Sequence, residues 1–323
     1  MKRNILMVAV VAMAVGALAM SSCAATSHAV KPSALGSASR TSELLKVIDE
    51  PGPIEAESVV SVEWSVPLSG MLNLDNPKAK EAGLVDREEP IGVYFHVIKH
   101  PKYGTFIIDT GVENALRDDR SKAAIRGPIA SFMHIEKMKF ENPLGDWVKA
   151  HGGKLDGVFF THLHLDHLSG APDVPKGTPL YSGPGDASQT GLMNFATRGS
   201  FDRALEGQEP ISEWPYAGDA DGRFEGVVDV FGDGSFWAIQ VPGHTRGSNA
   251  YVARTPNGPI LFTGDTCHTA WGWEHSVEPG TYTADREMNR TNLLRLKKLA
   301  EEHPNMAVRL GHQALPAAKT ATR

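Results

Sequence analysis

The chain has 323 residues, enough to bury one or two large cores, and its 41% hydrophobic and 22% charged content is ordinary for a globular fold. A net charge of −6 at pH 7, with no basic block anywhere, argues against nucleic acid as a partner. Only two cysteines are present, Cys23 and Cys267, which excludes a disulfide-stapled scaffold.

The N-terminus opens with the basic "MKRN" and the apolar run "ILMVAVVAMAVGALAM". That run falls short of the roughly 20 residues a spanning helix needs, and suits an export signal over residues 1–22. The small residues before Cys23 resemble a bacterial lipoprotein cleavage box, which implies a lipid on Cys23. The alternative is an ordinary signal cut after "ALA" at 17–19. Either way the chain is expected outside a bacterial cytoplasm: anchored to a membrane of the cell envelope through Cys23, or else periplasmic or secreted. Residues 23–54 are expected to form a flexible tether and N-terminal extension, because "AATSHAVKPSALGSASR" (24–40) is small, polar and without pattern. The folded domain is placed at 55–323.

"SVVSVEWSV" (58–66), "IGVYFHVIKH" (91–100) and "GTFIIDTG" (104–111) are rich in β-branched and aromatic residues and predict strands. "ENPLGDWVKAHGG" predicts a short helix with a glycine stop, leading into the strand "LDGVFF". Four more strands follow in "GVVDVF", "SFWAIQV", "SNAYVAR" and "GPILFTGD". A helix over 285–303 carries Leu293, Leu296 and Leu299, with Leu294 beside them, on one apolar face, and Pro304 stops it. "MAVRL" is a last strand. The order suggests two sheets packed face to face with helices outside, an α/β arrangement that leaves strand-end loops free for chemistry.

"THLHLDHLSG" (161–170) directly follows the "GVFF" strand. A chance H-x-H-x-D-H is expected in roughly one chain of this size per thousand. Alternate residues of an extended segment point the same way, so His162 and His164 can grip one ion while the turn aims Asp166 and His167 at a second. Further strand ends supply His244 in "VPGHTRGS", Asp265 and His268 in "LFTGDTCH", His312 in "VRLGHQ" and Asp109 in "FIIDTG". Imidazoles with a few carboxylates and no thiolate pair suit Zn²⁺, with Mn²⁺, Co²⁺ or Fe²⁺ as alternatives.

These motifs, in this order, resemble the metallo-β-lactamase superfamily of binuclear metallohydrolases, from about residue 58 to residue 313. The resemblance implies an αββα four-layer sandwich with a dinuclear metal site at one edge of the two sheets. It further implies that His162, His164 and His244 hold metal one, that Asp166, His167 and His312 hold metal two, and that Asp265 bridges them. Asp109 would orient a ligand histidine by accepting its other N–H. Cys267 is expected to pack beside Asp265.

Within the superfamily the chain is most similar to N-acyl-homoserine lactone lactonases, through the segments around "MLNLDNPKAKEAGLVDREEPIGVYFHVIKHPKYGTFIIDTG" and "WGWEHSVEPGTYTADREMNRTNLLRLKKLAEEHPNMAVRLGHQ". The implied reaction is attack of a metal-bound hydroxide on a lactone or related ester carbonyl, with Asp166 passing a proton to the leaving ring oxygen. Those lactonases carry Tyr three residues after the bridging Asp; here His268 stands in that place as a candidate donor. Residues 183–224 are expected to build a lid or wall, and Trp271, Trp273, Phe132 and Met133 lie in segments able to line an apolar groove. The alternatives are another binuclear hydrolase of the same fold (an aryl esterase, thioesterase or organophosphate triesterase) or a non-catalytic surface binding lipoprotein. The sequence leaves the oligomeric state open.

Overall fold

The computed structural model describes residues 24–190 and 192–315, so the expected export signal (1–22) and Cys23 lie outside the described residues. Among the described residues, one eight-stranded sheet runs in the order β1 (Val30–Pro32), β9 (Ile211–Glu213), β8 (Leu180–Ser182), β7 (Gly157–Phe159), β5 (Gly104–Ile108), β4 (Glu88–His100), β3 (Glu55–Pro67) and β6 (Lys139–Phe140). A six-stranded sheet runs β14 (Ala307–Arg309), β13 (Gly258–Phe262), β12 (Asn249–Thr255), β11 (Phe236–Gln240), β10 (Gly226–Asp229) and β2 (Ser37–Ser39). No helix among the described residues is long and apolar enough to cross a membrane.

Side-chain alternation along the strands builds the layers. In β12, Tyr251 and Ala253 join Phe106, Ile108 and Phe159 of the other sheet in a shared core, while Ala250 and Val252 face a second core on the far side. β11 alternates the same way, with Phe236 and Ala238 inward and Trp237 and Ile239 outward. Ile107 and Val158 turn from the shared core into a third cluster on the outer face of the larger sheet. Both sheets are therefore covered on both faces, and a one-residue slip of β12 would exchange its two cores. The outer core of the smaller sheet is closed by the helix Arg286–Glu302, whose Leu293, Leu296 and Leu299 are fully buried, each side chain worth about 2 kcal/mol of burial. Its neighbour Leu294 points outward and is exposed. Asp285 caps this helix by accepting from the Met288 N–H at 2.9 Å.

The expected tether is not one. Residues 24–54 are fastened to the domain: β1 pairs in parallel with β9 at one sheet edge, and β2 pairs antiparallel with β10 at the edge of the other. The helix Thr41–Val47 then buries Leu44, and Ile48 beyond it, in the outer core of the smaller sheet. Strands at a sheet edge are held by their backbone bonds, so small polar side chains suffice and the sequence shows no apolar period.

Candidate metal centre

The seven residues expected as metal ligands meet at one edge of the two sheets. Each lies beyond the C-terminal end of a strand: His162 and His164 in the loop after β7, Asp166 and His167 in the one-turn helix Leu165–Leu168 that follows it, His244 after β11, Asp265 in the 3-10 turn Gly264–Thr266 after β13, and His312 after β14. The sheets are stitched together here. Asn249 of β12 donates its N–H to the Thr161 carbonyl at 2.7 Å, the Tyr251 hydroxyl donates to the Phe160 carbonyl at 2.7 Å, and the Gly92 N–H to the His312 carbonyl at 2.8 Å.

The donor atoms form two groups that share one carboxylate: His162, His164, His244 and Asp265 on one side, and Asp166, His167, Asp265 and His312 on the other, each with atoms within 4.8 Å of one another. Oδ2 of Asp265 lies 3.7 Å from Nε2 of His162, 3.4 Å from His244, 3.3 Å from His167 and 3.2 Å from His312. In the first group His164 turns Nδ1 inward, 2.9 Å from Nε2 of His244. His164 and Asp166 are half-buried; the other five are buried.

The opposite ring nitrogens are held from behind. Nδ1 of His312 donates to the Gly92 carbonyl at 2.9 Å, which fixes a proton there and turns Nε2 into the site, toward Oδ2 of Asp265 at 3.2 Å. Nδ1 of His167 donates to Oδ2 of Asp109 at 2.8 Å. The Thr161 hydroxyl donates to the same oxygen at 2.8 Å and so accepts from Nδ1 of His162 at 3.1 Å. Asp109 thus orients one histidine directly and another through Thr161. Its other oxygen accepts the Thr161 N–H at 2.7 Å. Asp109 adopts φ of +57°, a left-handed conformation costing a non-glycine residue about 1–3 kcal/mol, held at the turn where the carboxylate reaches all these donors. Nδ1 of His244 meets the Thr283 hydroxyl at 3.0 Å.

Burial, with neighbouring imidazoles adding to it, holds His162 and His244 well below the ordinary histidine value. His167 and His312 go the other way. Burial opposes their protonation, but Asp265 outweighs it, helped by Asp109 and Asp166 at His167 and by Asp166 at His312, which is pushed up to about 10. Asp265 is itself held well below the usual carboxylate range, because the histidines around it, His312 first, overcome its burial.

The residues fit a pair of metal ions. Nε2 of His162, Nε2 of His167 and Oδ1 of Asp265 are buried with no hydrogen-bond partner, each an expense of about 1–3 kcal/mol that a bound cation relieves. An imidazole and carboxylate donor set suits Zn²⁺ and its divalent neighbours. Space is kept for Asp265 by Gly311, where a Cβ would stand 2.0 Å from its Oδ1.

His268 is also brought in. Its Nδ1 donates to the Met71 carbonyl at 3.0 Å, and its Nε2 lies 3.0 Å from Oδ2 of Asp265 without hydrogen-bond alignment. Cys267 is buried, and that burial pushes its thiol up to about 12, so it is an inert packing group. Trp273 packs on the outer core of the smaller sheet, Trp271 against the cluster holding Met71 and Leu72, and Met133 on the outer core of the larger sheet, while Phe132 is exposed.

Sequence reasoning missed Asp186. This buried carboxylate accepts the Leu163 N–H at 2.7 Å and the Gly247 N–H at 3.3 Å, tying the H-x-H segment to the loop of His244. Thr283 was missed as well. Neither belongs to a motif; their partners, His244 for Thr283 and two backbone N–H groups for Asp186, are visible only once the loops are folded.

The model of the metallo-β-lactamase superfamily matches residues 90–312, more than half of the chain and every candidate ligand. The chain belongs to the metallo-β-lactamase superfamily. Its curated relatives include the N-acyl homoserine lactonase AttM of Agrobacterium fabrum, 27% identical over 241 residues that cover 73% of this chain and 87% of that one. The gamma-lactamase MBL2 of Gibberella moniliformis is 31% identical over 169 residues, covering 49% of this chain and 68% of the relative. Among solved structures, the dizinc quorum-quenching lactonase AidC, in complex with a product, superposes with a TM-score of 0.52 at 13% identity, covering 88% of this chain and 92% of that one, a likeness of fold. In this superfamily member the strands β1, β2 and β3 lie ahead of the matched region, and all seven candidate ligands lie within it.

Proposed function

We propose that the chain is a binuclear metal-dependent hydrolase that opens the ring of N-acyl-homoserine lactones or similar lactones and esters. The observation that carries this reading is the pair of donor groups sharing Asp265 beside two half-buried ligands. The lactonase relatives supply the substrate class. His162, His164 and His244 would hold one ion and Asp166, His167 and His312 the other, with Asp265 common to both; Zn²⁺ is the expected metal. A bound pair of divalent ions supplies Lewis acidity toward the ester carbonyl and acidifies water near neutral pH.

The chain's own residues do the rest. Asp109, Thr161, Thr283 and the Gly92 carbonyl keep the ligand rings from turning. Asp166, open to the mouth, is placed to take a proton from the attacking water and hand it to the leaving alcohol oxygen. His268, its Nδ1 proton committed to the Met71 carbonyl, presents an Nε2 lone pair to the donor cluster, so we assign it an accepting role there in place of the donated substrate hydrogen bond that the resemblance implied. Export and lipid attachment at Cys23 remain part of the proposal, tested by membrane fractionation of the wild type and Cys23→Ser.

The deciding assay uses the full chain loaded with Zn²⁺, Mn²⁺ or Co²⁺ on acyl-homoserine lactones, an aryl ester, a thioester, a γ-lactam and a phosphotriester, with Asp265→Ala as control. Lactone opening far above the other reactions and lost in the control is the expected result. Inert lactones beside rapid turnover of another class would overturn the substrate assignment.

A further inference from the structure

The segment ahead of β1 lies beside the metal centre, where Ala25 borders the same recess as His164. His164 and Asp166 are the half-buried donors, so a substrate approaches from their side. Next to His164 is a recess of about 10 Å³ bounded by Ala25, Leu163, Asp186, Gln189, Phe201 and Thr245, with room for one water at most. Ala25 belongs to the N-terminal arm, and Phe201 to the helix Leu192–Ala204 of the 183–224 insertion.

Arm and insertion are tied to each other. Ala24 pairs antiparallel with Thr190, and the Thr26 N–H donates to the Ala187 carbonyl at 3.3 Å. The Thr26 hydroxyl and the Ser27 N–H both donate to Oδ1 of Asp202, at 2.6 and 2.7 Å, one turn or less from Phe201 on the same helix. The Ala29 carbonyl accepts the Ile211 N–H at 2.9 Å where β1 joins β9. A stretch with hardly any large apolar side chains is thus fixed beside a ligand histidine by a half-buried hydroxyl–carboxylate clamp.

We infer that residues 24–32 form a rim of the substrate entrance, and that Ala25 and Phe201, locked together through Thr26 and Asp202, limit the size of the group a substrate carries on the His164 side. The inference rests on the hydrolase reading and deepens it. A short acyl group passes the rim as built; a long one meets it, and loosening the clamp admits the longer chain.

The test compares full-length wild type with Asp202→Ala and, separately, Thr26→Val. The first removes the shared acceptor and the second only the hydroxyl. Turnover of decanoyl and butanoyl homoserine lactones is measured beside aryl esters of the same two acids. The ratio of kcat/KM, long over short, is expected to rise about tenfold through KM of the long substrate, with kcat on the short one unchanged. Hydrogen exchange of the amides in 24–32 should quicken in both variants. If lactones are inert and the esters turn over, the lactonase assignment fails while the chain-length ratio still reads the rim. If neither series turns over, calorimetric affinities for N-decanoyl- and N-butanoyl-homoserine supply the same ratio. An unchanged ratio, or one that shifts while the arm stays protected, overturns the inference.

Discussion

The two halves of the donor cluster are built from the same residue types and behave differently. In the half formed by His162, His164 and His244, burial and mutual repulsion keep His162 and His244 neutral, with lone pairs turned inward. In the other half, Asp109 and Asp166 add to Asp265, and His167 and His312 are held well above their ordinary range. The difference comes from where the carboxylates stand, not from the ligands themselves. Asp109 faces His167, whereas His244 rests on the neutral Thr283 hydroxyl. One half is an imidazole cage backed by threonine hydroxyls and the other is set among carboxylates, the two joined through Asp265.

That contrast can be broken from either side. The largest effect is expected from removing one ligand in each half, His162→Ala or His312→Ala. Each should lower kcat on the order of a thousandfold, the several kcal/mol of Lewis-acid stabilisation. Metal analysis should show one ion lost in each. Next, Asp109→Asn sets an N–H against one of the three donors that the carboxylate accepts from; metal affinity should fall about 10–100-fold in the His167 half and by less in the half of His162, which Asp109 reaches through Thr161, while Thr283→Ala should weaken only the His244 half, and least. Competition with a chelator, followed by metal content, separates the two.

Asp186→Ala leaves two buried N–H groups without their acceptor and is expected to cost about 2–4 kcal/mol in denaturant unfolding. The smallest effect lies away from the metals. Buried Glu113 is pushed up to about 7 by its desolvation, above the ordinary carboxyl value. Because the folded value is raised, its contribution to stability is fully present below about pH 4.5 and is lost as pH rises through about 7. Glu113→Gln should therefore gain on the order of 1–2 kcal/mol over wild type at pH 8 and nothing at pH 4. Equal gains at both pH values would contradict this.

Much of the fold and the donor cluster was legible because the chemistry sits in short contiguous motifs at the ends of apolar strands. "THLHLDH" alone supplies four of the seven donors, and the leucine spacing of 285–303 marked the helix to within one residue at each end. What escaped depends on contacts between distant segments. Residues 24–40 pair at sheet edges through their backbone, which leaves no trace in side-chain pattern. The strands β8 and β9 are three residues each, too short to show alternation. Asp186 and Thr283 act by hydrogen bonds across 23 and 39 residues of sequence.

The most direct measurement is metal content of the full chain after loading with excess Zn²⁺ and desalting, beside Asp265→Ala. Two overlapping donor groups should retain about two ions per chain in the wild type and at most one in the variant. A wild type that keeps one ion or none, or a variant that still keeps two, would contradict a binuclear centre joined by Asp265.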